Sequence, residues 1–175
     1  MLIEPILLGD ERGFFCETYR RNIFEELGIS EEMVQDNHSR SRRGVVRGLH
    51  FQVGPGAAKL VRCATGAIFD VVVDLRRGSP TFAHWEGFVL SAENMLIAYC
   101  PIGFAHGFCT LSEYADVIYK QSNYYSDEIE RGIKYDDPDV GIAWPDGLGL
   151  TASKRDSSAP LLRDVVDELP FVYRP

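Results

Sequence analysis

The glycine-rich loops that cradle nucleotide phosphates are missing. Neither a Gly-x-Gly-x-x-Gly nor a Walker-type loop occurs in the 175 residues, so the sequence gives no basis for a bound dinucleotide or for NTP chemistry. No apolar run approaches the ~20 residues of a membrane span. Met1 to Asp10 carries no signal-peptide pattern. The expectation is a cytoplasmic protein without membrane attachment. Cysteine is sparse: Cys16, Cys63, Cys100 and Cys109 form no Cys-x-x-Cys pair and sit in apolar or strand-like runs, which points to buried reduced thiols rather than disulfides. Positive charge is also short. Eighteen Lys and Arg against 26 Asp and Glu leave a net charge of −8, the opposite of the basic face that nucleic-acid phosphates require. An anionic small ligand stays open, since it needs only a few local arginines.

No repeat, low-complexity tract or Pro/Ser-rich linker divides the chain, so a single domain over residues 1–175 is expected. Helical periodicity is confined to Asn22–Leu27, closed by Gly28, and to a second stretch near Leu161–Leu169. Between them lie short strand-like runs: Lys59–Thr65, Ala67–Leu75, Phe82–Leu90, Met95–Cys100, Gly107–Leu111 and Asp116–Tyr124. Turn signals separate them at Arg77-Gly78-Ser79-Pro80, Ala92-Glu93-Asn94 and Pro101-Ile102-Gly103. In Ala67–Leu75, Phe69, Val71, Val73 and Leu75 alternate with Ile68, Asp70, Val72 and Asp74, so one face of that strand is not pure core. Short strands at this spacing predict an all-β antiparallel barrel or jelly roll with a few short helices. Small barrels hold a ligand cavity in the mouth, lined by inward-pointing residues.

Chemistry-bearing residues gather in three places: Gln35 to Ser39 followed by Arg47 to Gln52, then Pro101 to Phe108, then Tyr119-Lys120 with Tyr124-Tyr125. Of only four histidines, His50 and His106 lie in glycine-flanked apolar runs. Histidine is the usual general base near neutral pH, although each of these two is equally compatible with a hydrogen-bonded core histidine. Metal-binding barrels of this size supply a His-x-His pair. Here His50 is followed by Phe51 and Gln52, and no three ligands with recognisable spacing emerge. No metal and no cofactor are expected.

A series of motifs in order then resembles one family. Asp10-Glu11-Arg12-Gly13-Phe14-Phe15-Cys16-Glu17, Gln35-Asp36-Asn37-His38-Ser39, Arg47-Gly48-Leu49-His50-Phe51-Gln52, Lys59-Leu60-Val61-Arg62, Phe69 to Arg76, Gly78-Ser79-Pro80, Gly103 to Phe108, Tyr119-Lys120 and Gly141-Ile142-Ala143-Trp144-Pro145 are similar to the motifs of the dTDP-4-dehydrorhamnose 3,5-epimerase (RmlC-like) family. The resemblance implies a cupin-like jelly-roll homodimer acting on a dTDP-4-keto-6-deoxyhexose. It implies His50 as base, Asp156 as the carboxylate that fixes its tautomer, Tyr119 as acid on the other face and Lys59 as enolate stabiliser. His106 resembles a second active-site histidine, oriented by Asp70. Arg47 would meet the diphosphate, while Gln35, Asn37 and Tyr125 would contact nucleotide or sugar. Arg12, Phe15 and Glu17 resemble residues that reach the neighbouring subunit's site. Arg155 stands in Ser153-Lys154-Arg155-Asp156 where the family commonly has lysine.

Read without the resemblance, Tyr119 is an ordinary core tyrosine, Lys59 a solvated edge lysine and Asp156 a surface ion-pair partner of Lys154 or Arg155. Phe51, Phe69, Phe104 and Trp144 read as packing. The competing functions are a single-centre (3- or 5-) epimerase of the same substrate class, a non-catalytic sugar-nucleotide-binding barrel and, more remotely, a metal-dependent oxygenase.

Overall fold

The computed structural model describes residues 1–174. Its strands are β1 (Leu2–Ile3), β2 (Leu7–Asp10), β3 (Gly13–Cys16), β4 (Gln35–Arg42), β5 (Val45–Gln52), β6 (Lys59–Thr65), β7 (Ala67–Asp74), β8 (Trp85–Ser91), β9 (Ile97–Cys100), β10 (Phe104–Thr110), β11 (Tyr114–Gln121), β12 (Glu130–Gly132) and β13 (Thr151–Ala152). Helices are short: α1 (Arg21–Glu26), α2 (Lys154–Ser157) and α3 (Leu162–Val165), the last running into a 3-10 turn at Val166–Glu168. One sheet runs β1-β9-β6-β11-β4 and the other β12-β5-β10-β7-β8, with β13 parallel to β5 and β2-β3 standing apart as a hairpin.

The two sheets close on a shared apolar layer in which Val61 and Val117 of the first meet Ile68, Leu90 and Phe108 of the second. The outer face of the second sheet is covered as well. There Leu49, Phe51, Val71, Val73 and Leu75 pack under Leu162, Leu169 and Phe171 of the C-terminal segment. On the outside of the first sheet, Leu60 and Ile97 pack against Phe24 and Ile29 at α1. Both faces of β7 are therefore buried, which explains its nearly continuous apolar sequence. Its two carboxylates have separate uses. Asp70 points inward to the site, and Asp74 accepts hydrogen bonds from Arg76 (2.7 Å), Ser79 (2.6 Å) and Thr81 (2.7 Å), closing the turn before β8.

The expected strands from Lys59 onward are present with shifted ends, and both expected helices appear. Gly28, at φ +85°, ends α1. All four cysteines are free. Phe51, Phe69 and Trp144 pack in the outer core, and Phe104 lies under the Arg76 guanidinium at 4.6 Å.

One irregularity sets up the site. In the β5–β10 ladder His106 pairs with His50, but Phe108 pairs with Arg47, so Gly48 and Leu49 together oppose Gly107. Side chains alternate faces along a strand, and residues three apart would point oppositely. The extra residue of this bulge brings Arg47 and His50 to one face. Only glycine fits: Gly48 has φ +122°, a Cβ there would lie 2.5 Å from the Gly107 Cα, and a Cβ on Gly107 would lie 2.7 Å from the Arg47 carbonyl oxygen. Gly48→Ala is expected to cost about 2–4 kcal/mol, from dihedral strain plus backbone collision. Gly54→Ala, at φ +71° in open space, should cost about 1 kcal/mol. Chemical unfolding of the two variants would check this, and equal losses would mean the close approach at the bulge is not what requires glycine.

Candidate active site

A cavity of 440 Å³ opens between the sheets, lined by Arg47, His50, Lys59, His106, Tyr119 and Asp156 together with Ser39 and Phe108. The groups divide by sheet. His50 on β5 and His106 on β10 are direct neighbours across the second sheet, whereas Lys59 on β6 and Tyr119 on β11 come from the first.

His50 Nε2 lies 2.8 Å from Asp156 Oδ1. Asp156 sits in α2, whose N-cap Ser153 accepts the Asp156 backbone N–H at 3.0 Å. The carboxylate is 5% exposed, not the surface ion-pair partner that its basic neighbours suggest. Burial pushes its pKa up, but the hydrogen bonds from His50, Ser153 and the Gly48 N–H, with the attraction of the imidazole, outweigh that and leave the pKa lowered. An ionised Asp156 accepts the N–H of one ring nitrogen and leaves the other free to take a proton. His106 is held the same way, its Nε2 2.7 Å from Asp70 Oδ1, with both side chains buried.

Opposite these dyads, Lys59 is buried at 6% exposure, not a solvated edge lysine. Its Nζ donates a long hydrogen bond of 3.4 Å to the His50 carbonyl oxygen, leaving donors for a ligand. Tyr119 is half-buried. Desolvation and the nearby Glu130 raise its pKa, with Arg47 pulling the other way, so the phenol keeps its proton at neutral pH and can donate it. Arg47 is exposed at the cavity mouth, its Nε donating to Ser41 Oγ at 2.9 Å.

Three further expected residues form a connected group. Gln35 Nε2 donates to Asn37 Oδ1 at 2.8 Å, and Gln35 Oε1 accepts the Tyr125 N–H at 2.9 Å. Asn37 pairs with Tyr119 across β4 and β11, and its buried Nδ2 has no partner. The Tyr125 hydroxyl donates to Asp127. Arg12, Phe15 and Glu17 are not brought to this cavity. They lie on or beside the separate hairpin, where Phe15 is 64% exposed, Arg12 pairs with Asp10 and Glu17 with Arg20. Among the described residues that hairpin pairs with no other strand.

Sequence reasoning assigned no role to Ser153, Ser41 or Gln52. Ser153 had a visible signal, a serine three residues before Asp156 in an N-cap pattern. Gln52 is 1% exposed and bridges Asn123 and the Tyr124 carbonyl, two residues beyond His50 on the same strand. Among the described residues, no group of three or more His, Cys, Asp or Glu side chains could hold a metal ion, and no helix is long and apolar enough to cross a membrane.

Residues 1–164 match the family model described as dTDP-4-dehydrorhamnose 3,5-epimerase. The chain belongs to this epimerase family. The dTDP-4-dehydrorhamnose 3,5-epimerase of Salmonella typhimurium is 54% identical to it over 164 residues, covering 93% of this chain and 90% of that one. A dTDP-4-dehydrorhamnose 3-epimerase of Streptomyces niveus is 44% identical over 167 residues, covering 94% and 80%. Among solved structures, the epimerase RmlC of Legionella pneumophila Philadelphia 1, in complex with dTDP-4-keto-L-rhamnose, is similar at a TM-score of 0.96 and 48% identity, covering 99% of this chain and 93% of that one. The two-sheet architecture is thus the cupin-like barrel of the RmlC epimerases, and membership makes the chain an isomerase rather than a binding module.

Proposed function

We propose that the chain inverts C3 and C5 of dTDP-4-keto-6-deoxy-D-glucose on the route to dTDP-L-rhamnose. The observation that carries this reading is the facing of a His50–Asp156 dyad on one sheet by Tyr119 and Lys59 on the other, within one cavity. A C4 ketone acidifies the hydrogens on C3 and C5. His50 removes one of them, and the C–H electron pair moves into an enolate whose oxygen accepts a hydrogen bond from the Lys59 ammonium. Tyr119 then delivers its proton to the same carbon from the opposite face as the carbonyl re-forms. That inversion leaves His50 protonated and Tyr119 ionised, and exchange with solvent restores both. Repetition at the second carbon completes the reaction.

Arg47 at the mouth binds the diphosphate, which keeps the sugar inward. Gln35, Asn37 and Tyr125 contact nucleotide or sugar, and His106, held by Asp70, completes the wall beside His50. Arg12, Phe15 and Glu17 act in the site of a second copy in a homodimer. The unpartnered hairpin region supports this, since Ile6, Leu8, Phe14 and Phe15 are each at least 60% exposed and such a patch calls for a covering surface. The chain is one epimerase domain, working in the cytoplasm.

Incubation with dTDP-4-keto-6-deoxyglucose in D2O, read by NMR, tests the reaction. Deuterium is expected at both C3 and C5. Incorporation at one carbon alone would replace this reading with a single-centre epimerase, an alternative supported by the 44% identity to a 3-epimerase. The absence of deuterium at either, in folded protein that binds dTDP, would overturn the proposed chemistry.

A further inference from the structure

We propose that Ser41 is a positioning residue for Arg47: its hydroxyl fixes the Nε edge of the guanidinium so that both terminal amino groups face the anionic ligand at the cavity mouth. The inference rests on the reading of Arg47 as the diphosphate contact.

Arginine binds a diphosphate best when its planar fork is held in one orientation, and a long exposed side chain does not hold itself. On β4 the inward positions are Gln35, Asn37, Ser39 and Ser41, and the outward ones Asp36, His38, Arg40 and Arg42. Ser41, at the end of the inward column, is 5% exposed. The β5 bulge turns Arg47 to the same interior, and the Arg43-Gly44 turn, which carries the chain from the first sheet to the second, brings its Nε to 2.9 Å from Ser41 Oγ. A guanidinium has five N–H donors in fixed directions. Spending the single Nε–H on Ser41 leaves the four terminal ones unassigned.

The type of acceptor matters as much as its position. Arg12, Arg20, Arg21, Arg40, Arg76 and Arg163 each pair with a carboxylate. Arg47 makes no ion pair among the described residues, and its side-chain partner is a neutral hydroxyl. A carboxylate at position 41 would orient the guanidinium but compete with the diphosphate for it. A serine orients it without cancelling its charge.

The test is a double-mutant cycle of Ser41→Ala and Arg47→Met, with Ser41→Thr as the conservative variant, reading kcat, KM and calorimetric affinity for dTDP. Ser41→Ala is expected to raise KM and weaken dTDP binding by roughly tenfold, with kcat falling by less than about twofold. Ser41→Thr, which keeps the hydroxyl, should recover most of the loss. In the Arg47→Met background, Ser41→Ala should change nothing further, because its acceptor has no Nε–H left to hold. A packing defect at a buried serine would instead penalise both backgrounds equally, and that result would overturn the proposal. So would an unchanged KM for Ser41→Ala alongside a large effect of Arg47→Met. An unchanged KM for Arg47→Met alone would overturn the underlying diphosphate assignment instead.

Discussion

Replacing His50 by alanine is expected to lower kcat by roughly 10³-fold while affinity for dTDP stays close to that of the parent protein. The imidazole is the group in the cavity with both a partially exposed ring, 26% by side chain, and a carboxylate fixing its tautomer. His106 cannot take over: its side chain is 7% exposed and committed to Asp70. In the proposed function other residues hold the nucleotide at the mouth, so its binding should survive. Truncation also leaves Asp156 buried without its partner, a destabilising arrangement in its own right. His50→Asn, which can still donate to the carboxylate, separates that loss from the chemical one. Both variants should show the same collapse of kcat, but the alanine variant alone should unfold at clearly lower temperature. Normal deuterium uptake at C3 and C5 in either would remove His50 from the base role.

Tyr119→Phe should separate proton removal from inversion. The phenyl ring keeps the contacts that Tyr119 makes with the inter-sheet core and loses only the hydroxyl. Inverted product is expected to fall by roughly 10²- to 10³-fold. Substrate should nevertheless keep taking up deuterium with its original configuration. In the proposed mechanism His50 still forms the enolate, its proton exchanges with solvent through the open mouth, and a deuteron returns to the face it left. Inversion at the parent rate would show that the acid is another group. Loss of exchange together with inversion would show that Tyr119 also assists the first step.

The sequence made some of this arrangement readable and concealed the rest, for physical reasons that differ from residue to residue. β7 was legible because Asp70 and Asp74 interrupt an otherwise apolar run at even spacing, which fixes the face they share. β4 was not legible as a strand. Its inward side chains are Gln, Asn and Ser and its outward ones Asp, His and Arg, so period-two alternation carries no hydrophobic contrast. In β5 the odd spacing of Arg47 and His50 argues against a shared face until the bulge is known, and the bulge depends on Gly107, more than fifty residues away in the chain.

Asp156 was hidden by its neighbours. Lys154, Arg155, Ser157 and Ser158 read as surface, and the carboxylate is buried only because α2 docks beside β5, 106 residues earlier. The resemblance named Asp156 where composition alone pointed the other way. Arg12, Phe15 and Glu17 are a different case. The hairpin holding them is formed by the single chain but pairs with no other strand among the described residues, so their proposed role rests on a second copy.

The division of the proposed reacting groups between two sheets has a consequence for how activity is acquired. A chain in which only β5 and β10 have paired owns its imidazoles but nothing to oppose them. One in which only β6 and β11 have paired owns a phenol and an ammonium with no base. Far-ultraviolet circular dichroism would register either half-built state as extensive strand. Neither could pass a proton from one side of a sugar ring to the other. With the proposed roles, turnover is an all-or-none reporter of barrel closure, and during refolding it should return with the last step of assembly rather than with the bulk of the secondary structure.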